Sequence, residues 1–302
     1  MHLRRILPFY PLLAGLLCAT CSAGPLDDLV NTFLRISNER TPYGVTDGNP
    51  SAATAVLAND AFDHFGLRPL IGTTRSNWEF GMDSSYRRIN TSPIHSDQYD
   101  VDLYGAYRFS DRFLLTLSLP TEYRDTHSLA AYIGGANVGL SIALVPKTSQ
   151  GISWTITPWG SAIGVGASSD LAQGGLIAGG GATSSLMYTS GPWRFSMGNQ
   201  VGYDWGAPIG YGKLIDFKQN ISQIIVKNGV RAEYDVNSSL YIDASAAYTD
   251  MLNDAYTDNY LSLSAGAGLR FGDRCDLHLE YVGDYAHGYN AGGLSVSFRF
   301  VF

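Results

Sequence analysis

Acidic and basic residues recur at alternate positions in two parts of this chain. Glu79, Asp83 and Arg87 share one parity. Asp100, Asp102 and Arg108 share another, and Glu122 follows. Further on, His278, Glu280 and Asp284 repeat the pattern, and Arg299 stands nearby. In an extended strand, residues two apart point to one face. One face of a sheet therefore carries carboxylates, guanidiniums and an imidazole together. Such a face has two uses. Its charges can pair and fill an enclosed space, as buried charges must. Alternatively they stay hydrated and line a path selective for small polar solutes. In that case Arg87, Arg108 and Arg299 would act against Asp83, Asp100, Asp102 and Glu280. His278 and Glu280 could also form an acid–base pair.

Strands must hold these side chains. About twelve alternating segments follow residue 75, each near the length of a tilted membrane strand. In the cleanest, Tyr99, Val101, Leu103, Tyr107 and Phe109 point one way, while Gln98, Asp100, Asp102, Tyr104 and Arg108 point the other. The next puts Phe113, Leu115, Leu117, Leu119 and Tyr123 outward. The sixth, near 175–189, is Gly-rich and the weakest. Every second connection is tight, as at Ser110 and Asp111 or at Ser190 and Gly191, and the others are longer. Aromatic residues gather near strand ends, where rings would meet lipid headgroups. The pattern predicts an all-β protein: a transmembrane antiparallel up-and-down β-barrel of about 12 strands over 76–302. Ten or fourteen strands are the alternatives. A soluble β-sandwich also alternates, but it gives no reason for aromatic rims.

Composition agrees. The 302 residues carry a formal net charge of -7, and mean hydropathy is -0.03. No apolar run is long enough for a membrane helix, so apolar residues are spread one in two. The acidic balance, without basic clusters, argues against nucleic acid as a partner. Residues 1–23 read as a signal peptide, with Arg4 and Arg5 before an apolar stretch over 6–17. Cys21, Ser22 and Ala23 precede an expected cut at Gly24. Leu17 and Thr20 are poor residues before a lipidated Cys18 or Cys21. Cleavage leaves Cys275 alone, so no internal disulfide is expected.

Leu294, Val296, Phe298, Phe300 and Phe302 fall on one strand face, and Gly293, Ser295, Ser297 and Arg299 on the other. In this ending the chain resembles Gram-negative outer-membrane β-barrel proteins, where a terminal Phe after alternating aromatics addresses the assembly machinery. The resemblance implies an outer-membrane location and contact with outer-membrane lipid and lipopolysaccharide. It implies the barrel assembly machinery as a partner, with Phe302 as the assembly signal.

Residues 24–75 do not alternate. Leu26, Leu29, Val30, Phe33 and Leu34 recur at helical spacing over 25–36. A second helix is expected over 52–65, with Val56, Leu57, Ala61, Phe62 and Phe65 partly on one stripe. This short helical segment is expected either in the lumen as a plug or in the periplasm. Small inward residues, such as Gly139, Ser141, Ala247, Ser264 and Gly266, form a smooth wall opposite the charged one. Either a helix docks there, or the wall lines an open pore. A helix followed by about twelve strands is similar to the translocator barrel of autotransporters, but only residues 24–75 stand where a passenger would be.

An outer-membrane hydrolase is the sharpest alternative. Phospholipases of this architecture resemble one another in an H-x-S pair, which puts both side chains on one strand face. Here His95 and Ser96 are adjacent, as are His127 and Ser128, so the pairs face apart. His95, His127 and His287 form a metal site only if the outer loops converge. No catalytic site, metal or cofactor is assigned. The sequence reading is a narrow pore for small polar solutes, with no enzymatic activity. The alternative is a closed barrel serving as a surface-interaction or structural protein.

Overall fold

The computed structural model describes residues 61–67, 77–91, 94–125, 130–146, 148, 151–168, 173–207, 222–252, 259–272, 274–286 and 289–302. The leader at 1–23, the expected helix at 25–36, the start of the second helix at 52–60, and His127 and His287 lie outside these residues. So does the side chain of His95.

Twelve strands follow in order: β1 (Trp78–Thr91), β2 (Ile94–Ser110), β3 (Phe113–Asp125), β4 (Ala130–Val145), β5 (Ile152–Ser168) and β6 (Gln173–Ser190). Then come β7 (Trp193–Ala207), β8 (Ser222–Asp235), β9 (Leu240–Leu252), β10 (Asn259–Phe271), β11 (Cys275–Ala286) and β12 (Tyr289–Val301). Each pairs antiparallel with its sequence neighbours. β12 pairs with β1 from Glu79↔Val301 to Asn90↔Asn290, which closes the barrel. Closure leaves no strand edge, so backbone donors and acceptors are satisfied between strands. Gly191 and Gly272, at φ 57 and 65, let two of the short connections turn tightly.

The period-two pattern decides which way each side chain points. In β3, Leu114, Thr116 and Ser118 are buried inside, while Leu115, Leu117 and Leu119 are exposed outside. The outer face elsewhere carries Trp78, Phe80, Met82, Leu103, Val201, Ile242 and Leu279, all exposed. Each such side chain would lose roughly 1.5–3 kcal/mol by facing water rather than an apolar medium. A polar inside and an apolar outside is the polarity of a protein solvated by lipid. Tyrosines mark the rim at the long-loop end: the rings of Tyr86 and Tyr99 lie 5.2 Å apart, and those of Tyr123 and Tyr132 lie 5.0 Å apart.

The Gly-rich sixth segment, read as weak, is the longest strand at 18 residues and is paired on both sides. Two of its glycines are sites where side chains of neighbouring strands fill the space of a β-carbon. A β-carbon at Gly179 would fall 1.7 Å from Asp204 Oδ1, and one at Gly181 would fall 2.8 Å from the Trp159 ring. Packing outweighs the low strand propensity of glycine here. Two gaps interrupt the ladders of β4. Pairing with β3 stops at Ser118↔Asn137 and resumes at Thr121↔Gly134, beside Pro120. Pairing with β5 skips from Gly139↔Trp159 to Ile142↔Ile156, beside Pro158. Proline has no N–H to donate.

Candidate functional site

Residues 61–67 lie inside the barrel. Ala61 and Phe62 are helical and Asp63–Leu67 form a π-turn. Phe62 is fully buried against Ala247 of β9. Its ring sits 3.0 Å from where a β-carbon of Gly229 would be and 3.1 Å from that of Gly198. The Lys227 ammonium lies over the same ring, 4.9 Å from its centre, within cation–π range. Phe65 packs with Trp159 and covers Gly139, whose β-carbon would fall 2.5 Å from the ring. Ser185 Oγ donates to the carbonyl of Gly66 at 2.6 Å. Small residues on β4, β7, β8 and β9 thus make notches for two phenylalanines.

The opposite side of the segment meets the charged wall. His64 Nε2 is 2.5 Å from Asp102 Oδ2 and 4.0 Å from Asp83 Oδ2. Its ring lies 4.5 Å from that of Tyr104. Asp102 Oδ1 accepts the backbone N–H of Leu119 at 3.0 Å, beside the ladder gap at Pro120. The segment therefore spans the lumen from β8 and β9 to β1 and β2.

The charged wall is a network in two clusters. Toward the long-loop end, Arg87 pairs with Asp284 at 2.9 Å and approaches Asp100 at 3.8 Å. Ser85 and Gln98 donate to Asp100 at 2.6 and 2.8 Å. Arg124 pairs with Glu122 and donates to the Gln98 side-chain oxygen Oε1, both at 2.8 Å. Toward the short-turn end, Arg299 lies 3.8 Å from Glu79 and 3.4 Å from Asp276. Arg270 bonds Glu233 and reaches Asp235 at 2.5 Å. Between the clusters Asp243 receives Arg231 at 3.0 Å and His278 at 2.6 Å. Glu280 is buried, and Arg108 is half-buried near the β2–β3 turn.

Between His64 and this wall lies a cavity of about 190 Å³, bordered by Asp83, Arg87, Asp100, Asp284 and Lys227 among others. It is smaller than the roughly 300–1,000 Å³ of a drug-sized ligand site. It suits water and small polar solutes. The partner of His278 is Asp243 (2.6 Å) rather than Glu280, and its ring stacks on Tyr241.

Sequence reading did not single out Arg124, Arg231, Glu233, Asp243, Arg270 or Asp276. Parity was the available signal: Asp243 shares a face with Ser245, and Arg270 with Gly268. β9 and β10 are therefore smooth only over part of their length. His64 was missed because the helical stripe was traced through Phe62 and Phe65, while His64 projects the other way.

No family model and no curated protein matches the sequence. Solved structures do resemble the fold. The translocator domain of the autotransporter NalP from Neisseria meningitidis superimposes with a TM-score of 0.59 at 11% identity, over 84% of this chain and 98% of that one. The fold is that of an outer-membrane β-barrel. An outer-membrane channel from Pseudomonas putida F1 matches this barrel at TM-score 0.54 and 11% identity, over 78% of this chain and 100% of the channel. The β domain of the Bordetella autotransporter BrkA matches it at 0.53 and 11%, over 76% and 100%. At these identities the barrel's architecture is shared.

Proposed function

We propose that this outer-membrane barrel is a narrow, plugged pore for small polar solutes, and that displacement of the N-terminal segment opens it. The observation that carries this reading is the placement of residues 61–67 across the lumen, with Phe62 and Phe65 buried on one wall and His64 tied to the other. The cavity beyond His64 supports it, since its lining is charged and its size suits a small solute. The ion-paired wall would hold the barrel rigid while the segment moves. In this reading residues 1–23 are a cleaved leader. Lipopolysaccharide of the outer leaflet would surround the barrel, and the assembly machinery would insert it. No catalytic step is assigned.

Planar-bilayer conductance of the refolded chain, with and without residues 24–75, tests the reading. The full chain should be closed or flicker briefly, and the shortened chain should conduct steadily. Steady, equal conductance in both would remove the plug from the account. Silence in both would favour a closed barrel that works as a surface-interaction protein.

A further inference from the structure

His64, Asp83 and Asp102 come from three different segments: the lumenal turn, β1 and β2. One ligand atom from each lies within 4.8 Å of the other two. Asp83 and Asp102 are directly opposed in the β1–β2 register and both face inward. Two like charges in that position repel unless a cation sits between them. The Asp83 carboxylate makes no hydrogen bond among the described residues, and its ion-pair contact is His64 at 4.0 Å. That distance is too long for a hydrogen bond. It is close to the roughly 3.4 Å that separates two ligands bound at about 2.1 Å to one tetrahedral metal ion.

The geometry points to a divalent transition-metal site made by His64, Asp83 and Asp102, a site that also rests on the plug reading because one ligand comes from the lumenal segment. One imidazole with two carboxylates is a mixed nitrogen and oxygen donor set, which suits zinc. The His64–Asp102 contact at 2.5 Å would widen as the ion takes the place of the shared proton, and the His64–Asp83 gap would close.

Outer contacts are already in place to orient the ligands. Leu119 N–H holds Asp102 Oδ1 at 3.0 Å, so Oδ2 is left to face His64. The Tyr104 ring, 4.5 Å away, fixes the plane of the imidazole. Such supports raise metal affinity by holding ligands in position. The adjoining cavity of about 190 Å³ is open to the three residues and supplies room for water ligands. In the other His–carboxylate cluster, Asp243, His278 and Glu280, Arg231 already occupies Asp243 at 3.0 Å. An ion at His64 would tie the plug to β1 and β2 by bonds to metal in place of the His64–Asp102 hydrogen bond.

Zinc content of the refolded, heat-modifiable full chain after dialysis, together with a cobalt(II) titration followed by its visible d–d bands, tests the site. The expected result is one tightly held ion per chain. His64→Ala and Asp83→Asn should each weaken binding by ~10-fold or more, while His278→Gln should keep it. These changes leave the strand ladder intact, and folding is checked by gel mobility. Absence of a stoichiometric ion in the full chain overturns the site, as does unchanged binding in His64→Ala. Loss of the ion in His278→Gln alone overturns it in favour of the other cluster. Conductance is read separately. His64-dependent metal binding in a chain that conducts steadily would keep the segment in the lumen and the site, and would refute only the occlusion of the pore. A closed chain that binds no metal would keep the plug and refute the site.

Discussion

The Phe65 ring occupies the space that a side chain at Gly139 would need, with 2.5 Å between the ring and a β-carbon built there. A segment distant in sequence from β4 thus depends on the absence of one carbon atom. Gly139→Leu should expel Phe65 and open the pore while the barrel still folds. Bilayer conductance should approach that of the chain lacking 24–75. A silent Gly139→Leu barrel would mean that the segment is held elsewhere.

Asp284 is almost wholly buried and pairs with Arg87 at 2.9 Å. Removing one partner leaves a buried charge uncompensated, at a cost of about 3–5 kcal/mol. Arg87→Ala should lower the urea midpoint in detergent accordingly. Arg87→Met combined with Asp284→Leu should recover most of the loss, because both desolvated charges are then gone. Equal loss in single and double variants would show that shape, not charge, matters there.

Leu103 is exposed on the outer face between Met82 and Leu119, away from both aromatic rims. Leu103→Arg should destabilise the barrel in lipid by about 2–4 kcal/mol. Folding free energy in lipid vesicles is the measurement. A change near zero would place that face against water or protein instead.

Phe302 reaches across the seam. Its ring lies 5.7 Å from that of Phe80 and 4.6 Å from that of Phe300, and its N–H bonds the Trp78 carbonyl at 3.1 Å. Phe302→Ala should reduce the folded amount in the outer membrane several-fold, as read by cell fractionation. Normal levels would remove Phe302 as an assembly signal.

Strand directions were legible because a period of two is a local property: Tyr99 and Leu103 face out and Gln98 and Tyr104 face in whatever lies around them. The strength of β6 was not legible, since its glycines are stabilised by Asp204 and Trp159 on neighbouring strands. Small inward residues such as Gly139 and Ala247 signalled room inside the barrel, but not what fills it. The partners of the charged wall were hidden for a related reason. Arg87 meets Asp284 across the closing seam, 197 residues away in sequence. His64 escaped notice because a single polar residue beside a buried stripe looks like a solvated one.

The segment in the lumen is fastened by unlike means on its two sides. Aromatic rings in glycine notches hold one side, and an imidazole between carboxylates holds the other. The His64–Asp102 pair is only 7% and 13% exposed, so bulk salt screens it little; cations that compete for the carboxylates act on the second fastening and hardly touch the first. Release of the ionic side alone would leave Phe62 and Phe65 as a hinge. The segment would then swing like a trapdoor, staying attached to the wall and able to shut again without being rethreaded.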